Sequence, residues 1–184
     1  MGYKKTVILG ILFILVAGFL FQLKWRESVR KVERIFTFNP REVEEIRLVK
    51  YEQTITLKKE EKEWKVWTST ETGSVKTIGD EKIIRNLLSV FDYGILDVIH
   101  DHPATLTDFG LDNPEFALSI KMKGDPDFKT LLIGSDNPTQ NSCYAKVETL
   151  PRVLLLGILY KRDLDSIFDH LQVNADGKSK TDNP

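Results

Sequence analysis

Between Gln53 and Glu60 the chain alternates, with Ile55 and Leu57 set among Thr54, Thr56 and Lys58. A period of two predicts a strand with one face buried. The stretch before it, EVEEIRLVKY (42–51), predicts a strand as well, and after the charged turn KEEKE a third follows in EWKVWTST (63–70). In that third strand Trp64 and Val66 share one face and Trp67 takes the other. TETGS (70–74) reads as loop. Asp80 is then placed to cap a helix, EKIIRNLLSVF, in which Ile84, Leu87, Leu88 and Phe91 fall on one stripe. Tyr93-Gly94 is expected to close it, and GILDVIH (94–100) reads as a short extended segment.

The pattern then recurs. EFALSIKM (115–122), FKTLLIGS (128–135), SCYAKV (142–147) and RVLLLG (152–157) predict strands divided by the turn-forming GDPD, DNPTQN and ETLP. YKRDLDSIFDHL (160–171) predicts a second helix, with Leu164, Ile167, Phe168 and Leu171 as its apolar stripe. Strands followed by a helix, twice over, predict an α+β fold with a mostly antiparallel sheet and two packed helices. The two halves share almost no sequence, so a duplication is only suggested. VNADGKSKTDNP (173–184) has one large apolar residue, Val173, and reads as a disordered tail.

A different pattern opens the chain. Val7 to Leu23 is apolar except for Gln22, and seventeen residues at about 1.5 Å each reach roughly 26 Å, close to a bilayer core. Tyr3 and Trp25 flank it where aromatic rings favour the interface. Val16-Ala17-Gly18 is a weak signal-peptide cut site, but the apolar run continues beyond it. A lipoprotein needs a cysteine where Phe19 stands, and a uniformly apolar N-terminal helix would have little to cover it in a soluble core. The expected organisation is a single-pass membrane anchor in residues 1–26, with 6–24 as the membrane-embedded part. A short helical stalk follows over 27–38 (Val29, Val32, Ile35 and Phe36 at helical spacing), then the folded body over 39–172 and the tail.

Charge sharpens this division. The 184 residues carry a net charge of −1, which gives no electrostatic reason to expect nucleic acid as a partner. Residues 35–184 hold 19 basic and 25 acidic side chains, an acidic body behind a basic stem. Two Lys or Arg precede the apolar run and five follow it closely, so the positive-inside rule alone would place the body in the cytoplasm.

Candidate chemistry is sparse. Cys143 is the only cysteine, which excludes an intramolecular disulfide and a four-sulfur metal site; a small buried strand residue is the expected role. His100 and His102, two apart, would point the same way on a strand and hold zinc, with Asp108 or Asp97 as a third ligand. Pro103 and the neighbouring acids favour a polar loop instead. His170 lies apart, in the terminal helix. Asp163, Asp165 and Asp169 are expected on a solvated helix face. No nucleophile elbow, Walker loop, H-E-x-x-H or dinucleotide fingerprint occurs, so no catalytic residue and no cofactor is assigned.

TDFGLDNPEF (107–116) is the densest polar stretch. Asp108, Asp112 and Glu115 do not keep the alternating ligand spacing of a calcium loop, and Pro114 stiffens the segment. A corner explains it better: Gly110 supplies a positive φ, Phe109 and Leu111 pin the turn, Asp112 and Asn113 bond local amides, and Pro114 forces extended entry into the next strand.

Val43, Ile46 and Leu48, Trp64, the helix from Asp80, Gly110-Leu111-Asp112-Asn113-Pro114, LLIGS (131–135), Tyr144-Ala145 and the strand at Val153 stand in an order that resembles the bacterial family called domain of unknown function 4340. The resemblance spans about residues 36–171. It implies an N-terminal anchor, a body outside the cytoplasmic membrane and, in some relatives, association with gliding-type ABC transporters; the family has no assigned catalytic residues. The expectation is therefore a non-enzymatic, tethered envelope domain in the cytoplasmic (inner) membrane. It would bind or scaffold an envelope protein partner, and no small-molecule substrate is identified. The alternative is a metal-dependent hydrolase using His100, His102 and Asp108.

Overall fold

In the computed structural model, residues 34–61, 63–70, 73–99 and 105–179 are described, together with Phe13, Val16 and Gly18. The chain divides into two compact units, Met1–Val32 and Glu33–Pro184. In the first, the three described residues are helical. The expected anchor otherwise lies outside the described residues, and among these no helix is long and apolar enough to cross a membrane.

The second unit is one antiparallel sheet with two helices. A 3-10 turn, Pro40–Glu42, leads into β1 (Val43–Lys50), β2 (Gln53–Glu60), β3 (Glu63–Thr70) and β4 (Gly73–Ile78). Helix α1 (Glu81–Val90), β5 (Ile95–Ile99) and the 3-10 helix η2 (Leu106–Phe109) follow. The chain continues through β6 (Phe116–Met122), β7 (Lys129–Asp136), β8 (Ser142–Val147), β9 (Val153–Gly157) and helix α2 (Ile158–Ser179). The strand order is β4-β3-β2-β1-β6-β7-β8-β9-β5. Two four-strand meanders thus join through their first strands, with Ile46 opposite Ile120 and Leu48 opposite Leu118.

Alternation sets the two sheet faces. Ile46, Leu48, Ile55, Leu57, Leu118 and Leu131 are fully buried on the face that carries the helices. Asp80 caps α1 by accepting from the Lys82 amide at 2.7 Å. The helix buries Ile84, Leu87 and Val90, while the expected stripe residue Leu88 is only partly buried. From α2, Tyr160, Leu164, Phe168 and Leu171 close the same core. Every member of this core lies between Ile35 and Leu171.

Four local expectations are corrected. TETGS was expected as loop, but Gly73 onward forms β4, because pairing with β3 (Thr70↔Gly73 to Lys65↔Ile78) outweighs the weak strand preference of Gly-Ser. Ile35 and Phe36, expected at the end of a helical stalk, are not helical: both are buried, Arg34 forms an antiparallel bridge to Gly94, and the Phe36 and Phe38 rings stand 5.5 and 5.3 Å from that of Phe91. Burial of that aromatic cluster takes precedence over local helical spacing. Gly94 accordingly pairs with Arg34 instead of ending α1, which stops at Val90 with the Phe91 amide donating to Leu88. Finally, α2 extends to Ser179, seven residues into the segment expected to be disordered. No proline interrupts it, and the helix, once nucleated on the core, propagates at one hydrogen bond per residue.

Candidate functional site

The TDFGLDNPEF stretch is a corner built by backbone. Gly110 sits at φ 64° and ψ 26°, and its amide donates to Thr107 at 3.0 Å while the Leu111 amide donates to Leu106 at 3.0 Å. Asp112 accepts from its neighbour's amide, Asn113, and from the Thr107 hydroxyl, both at 3.0 Å. Leu111 is buried, and the Phe109 ring meets Tyr144 edge-on at 4.7 Å. The turn lies on Gly134 and Ser135 of β7: a Cβ on Gly134 would stand 2.1 Å from the Phe109 carbonyl oxygen. Three stretches of the resemblance, FGLDNP, LLIGS and Tyr144-Ala145, are therefore one packed contact.

The last residue before β6 extends this corner into an ion cluster. Glu115 and Asp136 both bond the Lys161 ammonium, at 2.6 and 2.8 Å, which ties the start of β6 and the end of β7 to the first turn of α2. Burial lowers the Lys161 pKa, but the hydrogen bonds its ammonium donates to Asp136 and Glu115, with their charges, outweigh it and the net direction is up. Cys143 faces Asp136 across the β7–β8 pairing and is fully buried. Desolvation pushes its thiol up to about 11 although Lys161 opposes the shift. That is an inert core cysteine, as its sequence setting predicted.

The proposed zinc set is only partly described. His100 and His102 lie outside the described residues. The Asp108 carboxylate accepts from Thr105 at 2.9 Å, and that of Asp97 accepts from the Val98 amide at 2.9 Å, so each makes a local bond. His170 is exposed on α2. Among the described residues no group of three His, Cys, Asp or Glu is positioned to hold a metal ion.

The more informative site lies between the helices. A cleft of about 240 Å³ runs between α1 and α2, with Val90 and Ile167 as apolar lining and Asn86, Ser89, Tyr93, Asp163 and Ser166 as polar lining. The Tyr93 hydroxyl donates to Asp163 at 2.6 Å, and that bond, then burial, raises the phenol's pKa. Behind it the Tyr93 ring meets Tyr160 edge-on at 6.0 Å. Tyr160 is buried, and its hydroxyl has no protein partner among the described residues. The aspartates expected on a merely solvated face thus have partners: Asp163 holds Tyr93, and Asp165 receives the Lys50 ammonium at 2.5 Å. Sequence reading missed this cleft. Its polar residues recur at i and i+3 on each helix (Asn86 with Ser89, Asp163 with Ser166) beside the apolar stripe, a signal that acquires meaning only once the helices are paired.

The cleft, the corner and the ion cluster all fall within one stretch of chain. No curated protein and no solved structure matches the sequence. Residues 79–175 match the family described as "Domain of unknown function (DUF4340)", from the cap of α1 to within four residues of the end of α2, leaving β1–β4 outside the match. With just over half of its length inside that match, the chain belongs to the DUF4340 family.

Proposed function

We propose that this chain is a membrane-tethered envelope domain that binds or scaffolds another protein. Residues 6–24 hold it in the cytoplasmic membrane, the body lies on the extracytoplasmic side, and the domain acts as an accessory subunit of a membrane complex. The observation that supports this reading is the α1–α2 cleft. It is too small for an extended substrate, yet it offers an amide, hydroxyls and a carboxylate over an apolar floor, a setting suited to receiving side chains from a protein surface. The apolar run from Val7 to Leu23 supports the tether.

The test is site-specific photocrosslinking in intact cells. A photoreactive residue at Asn86 or Ser166 is expected to capture one discrete membrane protein, whereas the same group at Glu148, in the exposed β8–β9 turn, captures none. No adduct from either cleft position would refute the reading. A reporter fused after Pro184 that is active only outside the cytoplasm tests the placement separately.

A further inference from the structure

The walls of the α1–α2 cleft have few donors left to offer. The Ser89 hydroxyl donates to the Asn86 carbonyl at 2.7 Å, and the Tyr93 hydroxyl donates to Asp163 at 2.6 Å. Both oxygens can then only accept from a guest. The Asp163 carboxylate is acceptor-only as well, and one bond from Tyr93 leaves most of its roughly four lone-pair sites open. The Asn86 amide and the Ser166 hydroxyl are the remaining donors of the lining.

Asp163 is also the charged residue of that lining, and among the described residues its bonded partner is the neutral Tyr93. Asp165, two positions on, has its own cation in Lys50. The basic residues of the two helices lie elsewhere. Lys161 is held by Glu115 and Asp136, and Lys82, Arg85 and Arg162 are exposed outside the lining. Glu81, Asp92 and Asp169 are exposed in similar number, so the rim has no strong sign and selection falls to the one carboxylate inside.

The floor sets the shape of the guest. Val90 and Ile167 lie one helical turn beyond Asn86 and Asp163 respectively, and both are buried. At about 240 Å³ the cleft is below the roughly 300–1,000 Å³ of small-molecule sites and has room for one side chain. An apolar side chain would leave the carboxylate desolvated and unpaired, and an acidic one would oppose it. A neutral polar group would bond it but leave its charge uncompensated. An aliphatic stem with a cationic head satisfies every wall, with methylenes on Val90 and Ile167 and N–H donors on the oxygens of Asp163, Ser89 and Tyr93.

We propose that the cleft receives a lysine or arginine side chain of the partner protein, its head on Asp163 and its stem across Val90 and Ile167. This rests on the protein-binding role proposed for the cleft and names the group that enters it.

The test uses the full chain in intact cells, with the photoreactive residue at Asn86 and the adduct mapped by peptide mass spectrometry. Asp163→Asn keeps an oxygen for the Tyr93 hydroxyl and removes only the charge, and it is expected to cut adduct yield at least about tenfold. Asp169→Asn, at an exposed acid of the same helix outside the lining, leaves the yield unchanged. Ser166→Asp adds a second carboxylate and should raise the yield, which a variant that merely perturbed folding would not do. If Asp163→Asn lowers the melting temperature, Ser166→Asp decides, and no gain from it overturns the proposal. The adduct should map within a few residues of a Lys or Arg, and Gln in place of that partner residue should reduce capture as far as Asp163→Asn does. Undiminished capture by Asp163→Asn, equal loss with Asp169→Asn, or an adduct remote from any basic residue would overturn the proposal while leaving protein binding at the cleft intact. No adduct from the parent chain would refute that binding as well.

Discussion

Gly134 lies directly beneath the Phe109 carbonyl, so close that a methyl group on its α-carbon would stand 2.1 Å from that oxygen and 2.9 Å from two atoms of Gly110. The contact is backbone against backbone, and neither side can yield by rotating a side chain. Gly134→Ala is therefore expected to cost about 3 kcal/mol and to lift η2 from the sheet. Denaturant unfolding measures the first effect, and loss of the Phe109–Tyr144 ring contact from aromatic–aromatic NOE cross-peaks the second. An unchanged midpoint would contradict the packing.

Gly110 is constrained twice. At φ 64° a Cβ carries conformational strain of about 1 kcal/mol, and here it would also come within 2.3 Å of the Ser135 hydroxyl and 2.9 Å of the Ser135 amide nitrogen. Gly110→Asn, which tolerates the conformation but not the crowding, should destabilise nearly as much as Gly110→Ala. Thermal melts of both variants compare the two causes: rescue by Asn would leave strain alone as the reason for glycine.

Lys161 neutralises two carboxylates at once. Lys161→Met leaves Glu115 and Asp136 facing each other in a half-buried site, at an expected cost of about 2 kcal/mol. The folded chain holds the Lys161 proton more tightly than the unfolded chain does. Its contribution is therefore constant below the ordinary lysine value of 10.5 and falls away as pH rises through the higher folded value. Urea midpoints measured from neutral pH to above 10.5 should fall more steeply for the parent than for Lys161→Met.

Cys143 should be silent toward thiol reagents while the body is folded, because burial both shields it and pushes its thiol up to about 11. Labelling with an aromatic disulfide at pH 8 is expected to track global unfolding and to proceed fully in denaturant. Rapid labelling of the native chain would mean that β7 and β8 open locally.

Tyr93 and Asp163 connect the end of α1 to α2 across 70 positions of sequence. Tyr93→Phe removes the donor while keeping the ring against Tyr160, and the expected cost is about 1 kcal/mol. In the photocrosslinking experiment the same variant should reduce adduct yield from Ser166, since the wall of the cleft is no longer held.

The strands were readable wherever one face is buried and the other hydrated. Ile55 and Leu57 alternate with threonine and lysine because the helices cover only one side of the sheet, and β2 and β8 matched their expected bounds. Gly73-Ser74 was unreadable because its strand identity comes from its neighbour, β3. Ile35 and Phe36 misled for the opposite reason. Their spacing suited a helix, but the partner that fixes them, Phe91, lies 55 residues beyond Phe36. Gly110, Asp112 and Pro114 could be read as a corner from their own chemistry. The surface on which the corner rests, Gly134, could not, since glycine's lack of a side chain shows only when something approaches. The cleft escaped for a related reason: Asn86 and Ser166 are ordinary polar helix residues until α1 and α2 are paired.

The seam between β1 and β6 bears on how the body assembles. Each meander can zip up from short hairpins, but Ile46 must find Ile120, 74 residues away, before either piece has a neighbour on its inner border. Closing so long a loop is the slow entropic step, and the hairpins on either side are fast. Shaving Leu48 or Leu118 at the seam should therefore retard refolding, while trimming Val66 or Leu154 further out should mainly hasten unfolding.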